Sequence, residues 1–244
     1  MYRKLTDACA DKCSHSGVKI MTLTVLLILS TPGYAQFAVV RDPDGFCNVR
    51  SNPVIDPGNV IDKLSNGDVV YCQERSGNWI EVEYRMSGET HSGYMYYDRL
   101  IDISKYQAFD GYQKKPDEII LSTDKIAVVV KRRRFNPKAH ELVYNPEKYL
   151  ATIDGGEVWG EDGDVPKQEY KSIHVTYNDK DIYLPRTAMQ NLYGPNLNQT
   201  KAYYDHDGRA IYIESSNGDG AGGYSVIWRI VDGKYTDRFV LRGF

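Results

Sequence analysis

Turn residues interrupt positions 45–100 at intervals of roughly eight to twelve residues, a spacing that leaves room for short strands and little else. The turns are Ser65-Asn66-Gly67-Asp68 and Ser76-Gly77-Asn78, where Gly and Asn supply backbone conformations that other residues resist. Between them the chain alternates. Cys47 and Val49 share one face of a strand, and Val70 and Cys72 share one face of another. Ile80 and Val82 point to one side of a third strand, with Trp79 on the other. This pattern predicts a small barrel or sandwich. Its core is limited, so a module of this size benefits from a staple.

The order of these signals resembles the bacterial SH3-like (SH3b) family over about residues 38–103. An Asn48-Val49-Arg50-Ser51 strand, a Val60-Ile61-Asp62-Lys63-Leu64 strand, Gly67-Asp68-x-Val70, Gly77-Asn78-Trp79-x-x-Val82 and a Gly93-Tyr94-Met95 turn occur in sequence. The resemblance implies a binding module rather than a reaction, with peptidoglycan or peptide recognition as the expected ligand classes. Trp79 and Tyr94 stand where aromatic contact is expected.

Cys47 and Cys72 both fall on predicted inward faces and are the only cysteines after residue 35. A bond between them would close a loop of about 25 residues and contribute ~3 kcal/mol in the chain-entropy model. The alternative is two buried thiols acting as small hydrophobes. The export signal decides in favour of the disulfide. Residues 18–35 read as a secretory signal peptide. Lys19 supplies the charge, residues 20–29 the apolar stretch, Thr31-Pro32 the break and Gly33-Tyr34-Ala35 the small-x-small cleavage site. That stretch is too short for a convincing membrane span. Cleavage after Ala35 places the mature protein in the periplasm or outside the cell. Residues 1–17 form a polar preface consistent with an upstream start artefact, Val18 being a candidate true start. Initiation at Met21 would lose Lys19 and leave a minor cytoplasmic pool. Cys9 and Cys13, with His15 nearby, lack a fourth ligand for a metal.

The 244-residue chain carries a formal charge of −3. Removing residues 1–35 takes away four basic and two acidic residues from totals of 30 and 33, so the mature chain is more acidic still. That balance argues against nucleic acid as a partner. Lys131-Arg132-Arg133-Arg134 is the exception, read as the solvated end of a strand rather than an anionic contact. Residues 104–117 read as a linker. Residues 118–244 read as a second β-rich domain, β or α+β. Its expected strands lie near 118–121, 126–131, 171–177, 181–184, 210–214, 224–230 and 239–242, with a short helix over 185–192. The fold class is thus mainly β: a small SH3-like barrel followed by a second β-rich domain.

The glycine-dense stretch 216–224 and the acidic turns at 159–164 and 205–208 are open to two readings. They are hairpin turns, or loops gathered around a cation; none fits the calcium-loop pattern, and hairpins are favoured. The stretch 224–241, turned at Asp232-Gly233, reads as a strong hairpin. Enzyme signatures do not assemble. His140-Glu141 is followed by Tyr144 where a zinc protease needs histidine, Ser122-x-x-Lys125 has no companion motif, and His91, His140, His174 and His206 lack ligand spacing. No cofactor or metal is expected.

Twenty tyrosines against six phenylalanines suit either a recognition surface or simply strands. The functional expectation is an exported, non-enzymatic protein that engages another protein in the cell envelope, as an inhibitor or immunity protein that neutralises an interbacterial toxin. Contact residues are expected at Trp79, Tyr94, Tyr96, Tyr97, Asp219 and Tyr224. A peptidoglycan binder and an envelope hydrolase are the alternatives.

Overall fold

The computed structural model describes residues 36–218 and 220–242. The expected signal peptide and Asp219 lie outside the described residues. The fold is mainly β. Among the described residues there is no α-helix; seven single 3₁₀ turns join the strands.

The first seven strands form one curled, half-barrel sheet: β1 (Gln36–Val40), β2 (Phe46–Arg50), β3 (Val60–Ser65), β4 (Val69–Ser76), β5 (Trp79–Met86), β6 (Glu89–Tyr96) and β7 (Leu100–Asp102). Their spatial order is β3-β2-β6-β5-β4-β1-β7. The alternation read from the sequence is the cause. Val49, Val70, Ile80, Val82, Tyr84 and Met95 all face the inside of the curl and are buried. Gly93 lets β6 pass close to β2, because a Cβ there would lie 2.5 Å from Val49 Cγ1 and 2.9 Å from Arg50 O.

Cys47 and Cys72 are both buried in this interior, as expected, but they are free thiols and the expected disulfide is not formed. The topology gives the reason: β6 and β5 lie between β2 and β4 in the sheet. The thiols serve instead as small apolar fillers. Burial pushes the Cys47 thiol above its usual range and the Cys72 thiol up to about 12.

The stretch expected to be a linker is built into sheets. Here β8 (Gln107–Ala108) pairs with β17 (Thr200–Asp205), and β9 (Gly111–Lys115) pairs with β10 (Glu118–Ser122). Its polar side chains suit edge positions, which is why composition alone suggested a loop. Further along come β11 (Ile126–Arg134), β12 (Leu142–Tyr144), β13 (Leu150–Ile153), β14 (Gly156–Glu157), β15 (Gln168–Tyr177), β16 (Lys180–Tyr183), β18 (Ala210–Asn217), β19 (Tyr224–Val231) and β20 (Lys234–Arg242). They make an outer sheet β16-β15-β11-β10-β9, a central sheet β20-β19-β18-β17-β8 and a small sheet β12-β13-β14.

The central sheet is buried on both faces. Ile211, Ile213, Val226, Trp228 and Ile230 pack against Ile119, Val128, Val130, Ile173 and Val175 of the outer sheet. Their sequence neighbours Ala210, Tyr212, Ile227, Phe239 and Leu241 turn the other way, onto Phe37, Val39 and Tyr71 of the half-barrel. This two-sided burial explains the unbroken apolar run Ala210-Ile211-Tyr212-Ile213. The expected hairpin is present, with Asp232 at φ 52° and Gly233 at φ 73°, as a type I′ turn requires. The expected helix over 185–192 is a single 3₁₀ turn, Arg186–Ala188. Its last carbonyl is taken by Trp228 Nε1 at 2.6 Å and Arg238 Nη1 at 3.0 Å, so it does not propagate a helix.

Polar links reinforce the junction. Arg41 pairs with Asp205, whose side chain is 2% exposed, and Arg229 donates to Gly67 O while pairing with Asp237. The basic run at the end of β11 is largely neutralised within the chain: Lys131 meets Glu118 at 2.7 Å, Arg132 meets Asp117 at 3.1 Å and Arg133 meets Glu169 at 3.0 Å.

Candidate binding surface

Two features of the half-barrel face solvent. The first is aromatic. Trp79 on β5 lies directly opposite Tyr96 on β6, their ring centroids 4.3 Å apart and tilted by 30°. Cross-strand aromatic pairs of this kind are mutually stabilising and preset a flat surface. Tyr97 follows at the strand end, with the Arg75 guanidinium 3.7 Å from its ring centroid. Arg75 is itself held by Gly77 O at 2.9 Å. Tyr94 sits opposite Glu81 on β5 and Arg50 on β2. Trp79, Tyr94 and Tyr96 are therefore half-buried on neighbouring strands, where the structure brings Trp79 and Tyr96 together, whereas Tyr97 is half-buried in the 3₁₀ turn Tyr97–Arg99 and packs against the half-barrel interior. Tyr94 lies beside the Trp79–Tyr96 pair on β6.

Tyr224 is elsewhere and is a correction. It is 1% exposed, in the core between the central and outer sheets, where its hydroxyl donates to Tyr193 O at 3.1 Å. Position 224 alternates with 226, 228 and 230, which places it on the inner face of β19.

The second feature was not anticipated. The loop between β2 and β3 carries Val54 and Ile55 at 53% and 71% exposure, and β3 continues with Val60 and Ile61 half exposed. Solvent-facing aliphatics normally sit on mobile loops, but this loop is fixed. Arg50 Nη1 donates to Asp56 O at 2.6 Å and to Asn59 Oδ1 at 2.7 Å. The buried Asn59 amide donates to Asn52 O and Val54 O. Asp56 caps the 3₁₀ turn through Gly58 N at 2.7 Å. The sequence did carry a signal: Val54-Ile55 and Val60-Ile61 flank Asp56-Pro57-Gly58-Asn59, and consecutive aliphatics beside a tight turn cannot all point inward.

Polar side chains nearby are engaged. The Tyr84 hydroxyl donates to Asp62, and burial together with that bond raises the phenol above its usual range. The Lys63 ammonium lies 3.2 Å from the Phe46 ring centroid, folded back over β2. The outer edge of β3 thus has no second strand among the described residues and carries two aliphatic side chains.

The glycine-dense stretch has a backbone explanation. Gly160, Gly194 and Gly218 crowd together: a Cβ on Gly160 would meet Tyr193 O at 2.2 Å, and Gly218 at φ 71° packs on Gly160. Asn217, beside it, is the hub of a buried network. Its Oδ1 accepts from Tyr170 Oη, Asn196 N and Ser215 Oγ at 3.2, 2.8 and 2.9 Å. The acidic turn at 205–208 has its Asp205 committed to Arg41. All four histidines after residue 35 are tied to neighbouring side chains, three of them as follows. His91 stacks on Tyr84, His174 meets Asp181 at 2.9 Å and His206 meets Gln107 at 2.6 Å.

No protein-family model, no curated protein and no solved structure matches this chain.

Proposed function

We propose that this chain is an exported, non-enzymatic binding protein of the cell envelope whose first half is an SH3-like module, and that it engages another protein as an inhibitor or immunity protein against an interbacterial toxin. The observation that carries this reading is the Val54–Ile55 tip. Apolar side chains exposed beyond 50% forgo burial in the monomer, and a hydrogen-bonded loop holds them in one arrangement. Rigid apolar anchors bind without a large ordering cost. The acidic mature chain, the export signal in residues 18–35 and the failure of enzyme motifs to assemble support the same reading.

The test is affinity capture of the mature protein's partner from its own cell envelope, run beside Ile55→Asp. One stoichiometric protein, retained by the parent and lost by the variant, supports the proposal. Recovery of peptidoglycan fragments alone would overturn it.

A second reading rests on the Trp79–Tyr96 pair, because a flat aromatic surface is also what a sugar ring stacks on. If the cell wall is the ligand, the protein sediments with purified peptidoglycan and Trp79→Ala abolishes sedimentation while Ile55→Asp leaves it intact.

A further inference from the structure

The fourth histidine, His140, stands apart from the half-barrel, on a cleft of about 550 Å³ beside β11, β15 and the 3₁₀ turn Arg186–Ala188. Its side chain is only 6% exposed. Asp154 holds it: one carboxylate oxygen accepts from Glu141 N at 2.9 Å and the other lies 2.7 Å from His140 Nδ1. Those two bonds, the histidine's first, hold the Asp154 carboxyl below its usual range. The ring stacks on Phe135 with centroids 4.7 Å apart. Because Nδ1 carries the proton that Asp154 accepts, Nε2 is the atom left for a ligand. Its nearest carboxylate oxygen, Glu169 Oε2, is 3.9 Å away, too far for a hydrogen bond. The other Glu169 oxygen accepts from Arg133 Nε at 3.0 Å.

The charge balance of the cleft is cationic. Arg133, Lys171 and Arg186 face Asp154 and Glu169, and both carboxylates are already engaged. Arg186 and Lys171 also line the cleft, and the charge of Arg186 helps to hold Asp154 ionised. Leu184, Met189 and Leu192 supply an apolar wall. A cleft with one apolar wall and a few convergent polar groups is the ordinary form of a small-ligand site.

We infer that this cleft binds an oxyanion, a carboxylate or a sulfate- or phosphate-like group, anchored by His140 Nε2 and Arg186 with Lys171 beside them. The neutral imidazole presents a lone pair at Nε2, which repels an oxyanion; the imidazolium presents an N–H, which donates to it. Binding therefore selects the imidazolium form of His140. By linkage the anion raises the histidine's titration midpoint, and affinity falls as pH rises through that midpoint. Asp154, Glu169, Arg133, Lys171 and Arg186 are the charged groups facing the ring.

The experiment is NMR of the His140 imidazole in the purified protein, titrated with acetate and separately with sulfate at constant ionic strength in chloride, between about pH 6.5 and 8, where both probes stay ionised. The expected result is a saturable shift, an upward-moving His140 midpoint and at least ~10-fold weaker binding in Arg186→Gln, with an unchanged thermal midpoint. His140→Gln should bind with no pH dependence in that range. Whichever probe saturates at lower concentration identifies the oxyanion class. Identical shifts with chloride alone, no saturation by either probe, or unaltered affinity in Arg186→Gln would each overturn the assignment.

Discussion

Strands β1 and β3 belong to the same curled sheet, yet their outward side chains have opposite surroundings. On β1, Phe37 and Val39 are buried against the central sheet, Phe37 edge-on to Tyr71 at 5.1 Å and to Phe239 at 6.0 Å. On β3, the side chains of Val60 and Ile61 are exposed, and the preceding loop raises Val54 and Ile55 further into solvent. The inward residues do not distinguish the two strands: Ala38, Val40 and Leu64 share one interior. An apolar outward face is therefore not itself a sign of function. Covered by a second sheet, it is part of the core. Left bare and held rigid, it is the surface proposed to meet a protein partner.

The largest effects belong to the covered end. Tyr71→Ala or Phe239→Ala should destabilise the protein by about 3–5 kcal/mol, because an aromatic leaves a cavity between two sheets that cannot collapse onto it. Urea unfolding should remain a single transition, since this cluster joins the half-barrel to the central sheet. Two separate transitions in the parent protein would break the comparison by showing that the cover is dispensable.

Next is the ion pair at the same junction. Arg41→Met leaves the Asp205 carboxylate, 2% exposed, without its cation. Stripping one partner from a buried pair costs about 3–5 kcal/mol, whereas replacing both partners costs much less. The double variant Arg41→Met/Asp205→Asn should thus regain part of the loss in thermal denaturation. If the two single losses simply add, the pair is not coupled.

These two ends also differ in how far the sequence disclosed them. Period-two alternation identified the half-barrel interior residue by residue, because Cys47, Val49, Val70, Cys72, Ile80 and Val82 each face one buried side. It could not disclose that Tyr71 is buried too, since that depends on a sheet more than 130 residues further along the chain. The same limit hid β8 and β9, polar strands that exist through their partners' hydrogen bonds rather than their own side chains. Tyr224 misled for the opposite reason: its neighbouring glycines marked close backbone packing, not an exposed loop. The aromatic pair was legible because both residues lie on recognisable strands. The His140 cleft was not, because its groups come from five separate segments whose spacing carries no pattern.

At the bare end the expected effects on stability are small and those on binding large. Ile55→Asp should alter the unfolding free energy by no more than about 0.5 kcal/mol, as befits an exposed position outside the core. Against a captured partner it should weaken binding by about 2 kcal/mol or more, roughly 30-fold, if Ile55 is a central anchor. Isothermal titration beside chemical denaturation separates the two. A loss of stability without a loss of affinity would make the tip a structural loop and reverse its place in the comparison.

The finest distinction concerns the two thiols inside the curl. Cys47 lies on β2, next to the bare strand β3, and Cys72 lies on β4, next to β1 and the covering sheet. Burial raises both thiols, Cys72 to about 12, so at pH 8 its thiolate fraction is on the order of one in ten thousand and alkylation needs local opening. Among the described residues no second layer holds β2 and β3 closed at the bare end, so Cys47 should react with iodoacetamide several-fold faster than Cys72, read by peptide mass spectrometry during slow labelling. In urea both should react at once. Equal native rates would mean that the sheet opens as a unit and the cover does not grade its stability. Two cysteines resistant to alkylation in urea and released only by reductant would overturn the reading of both as free thiols.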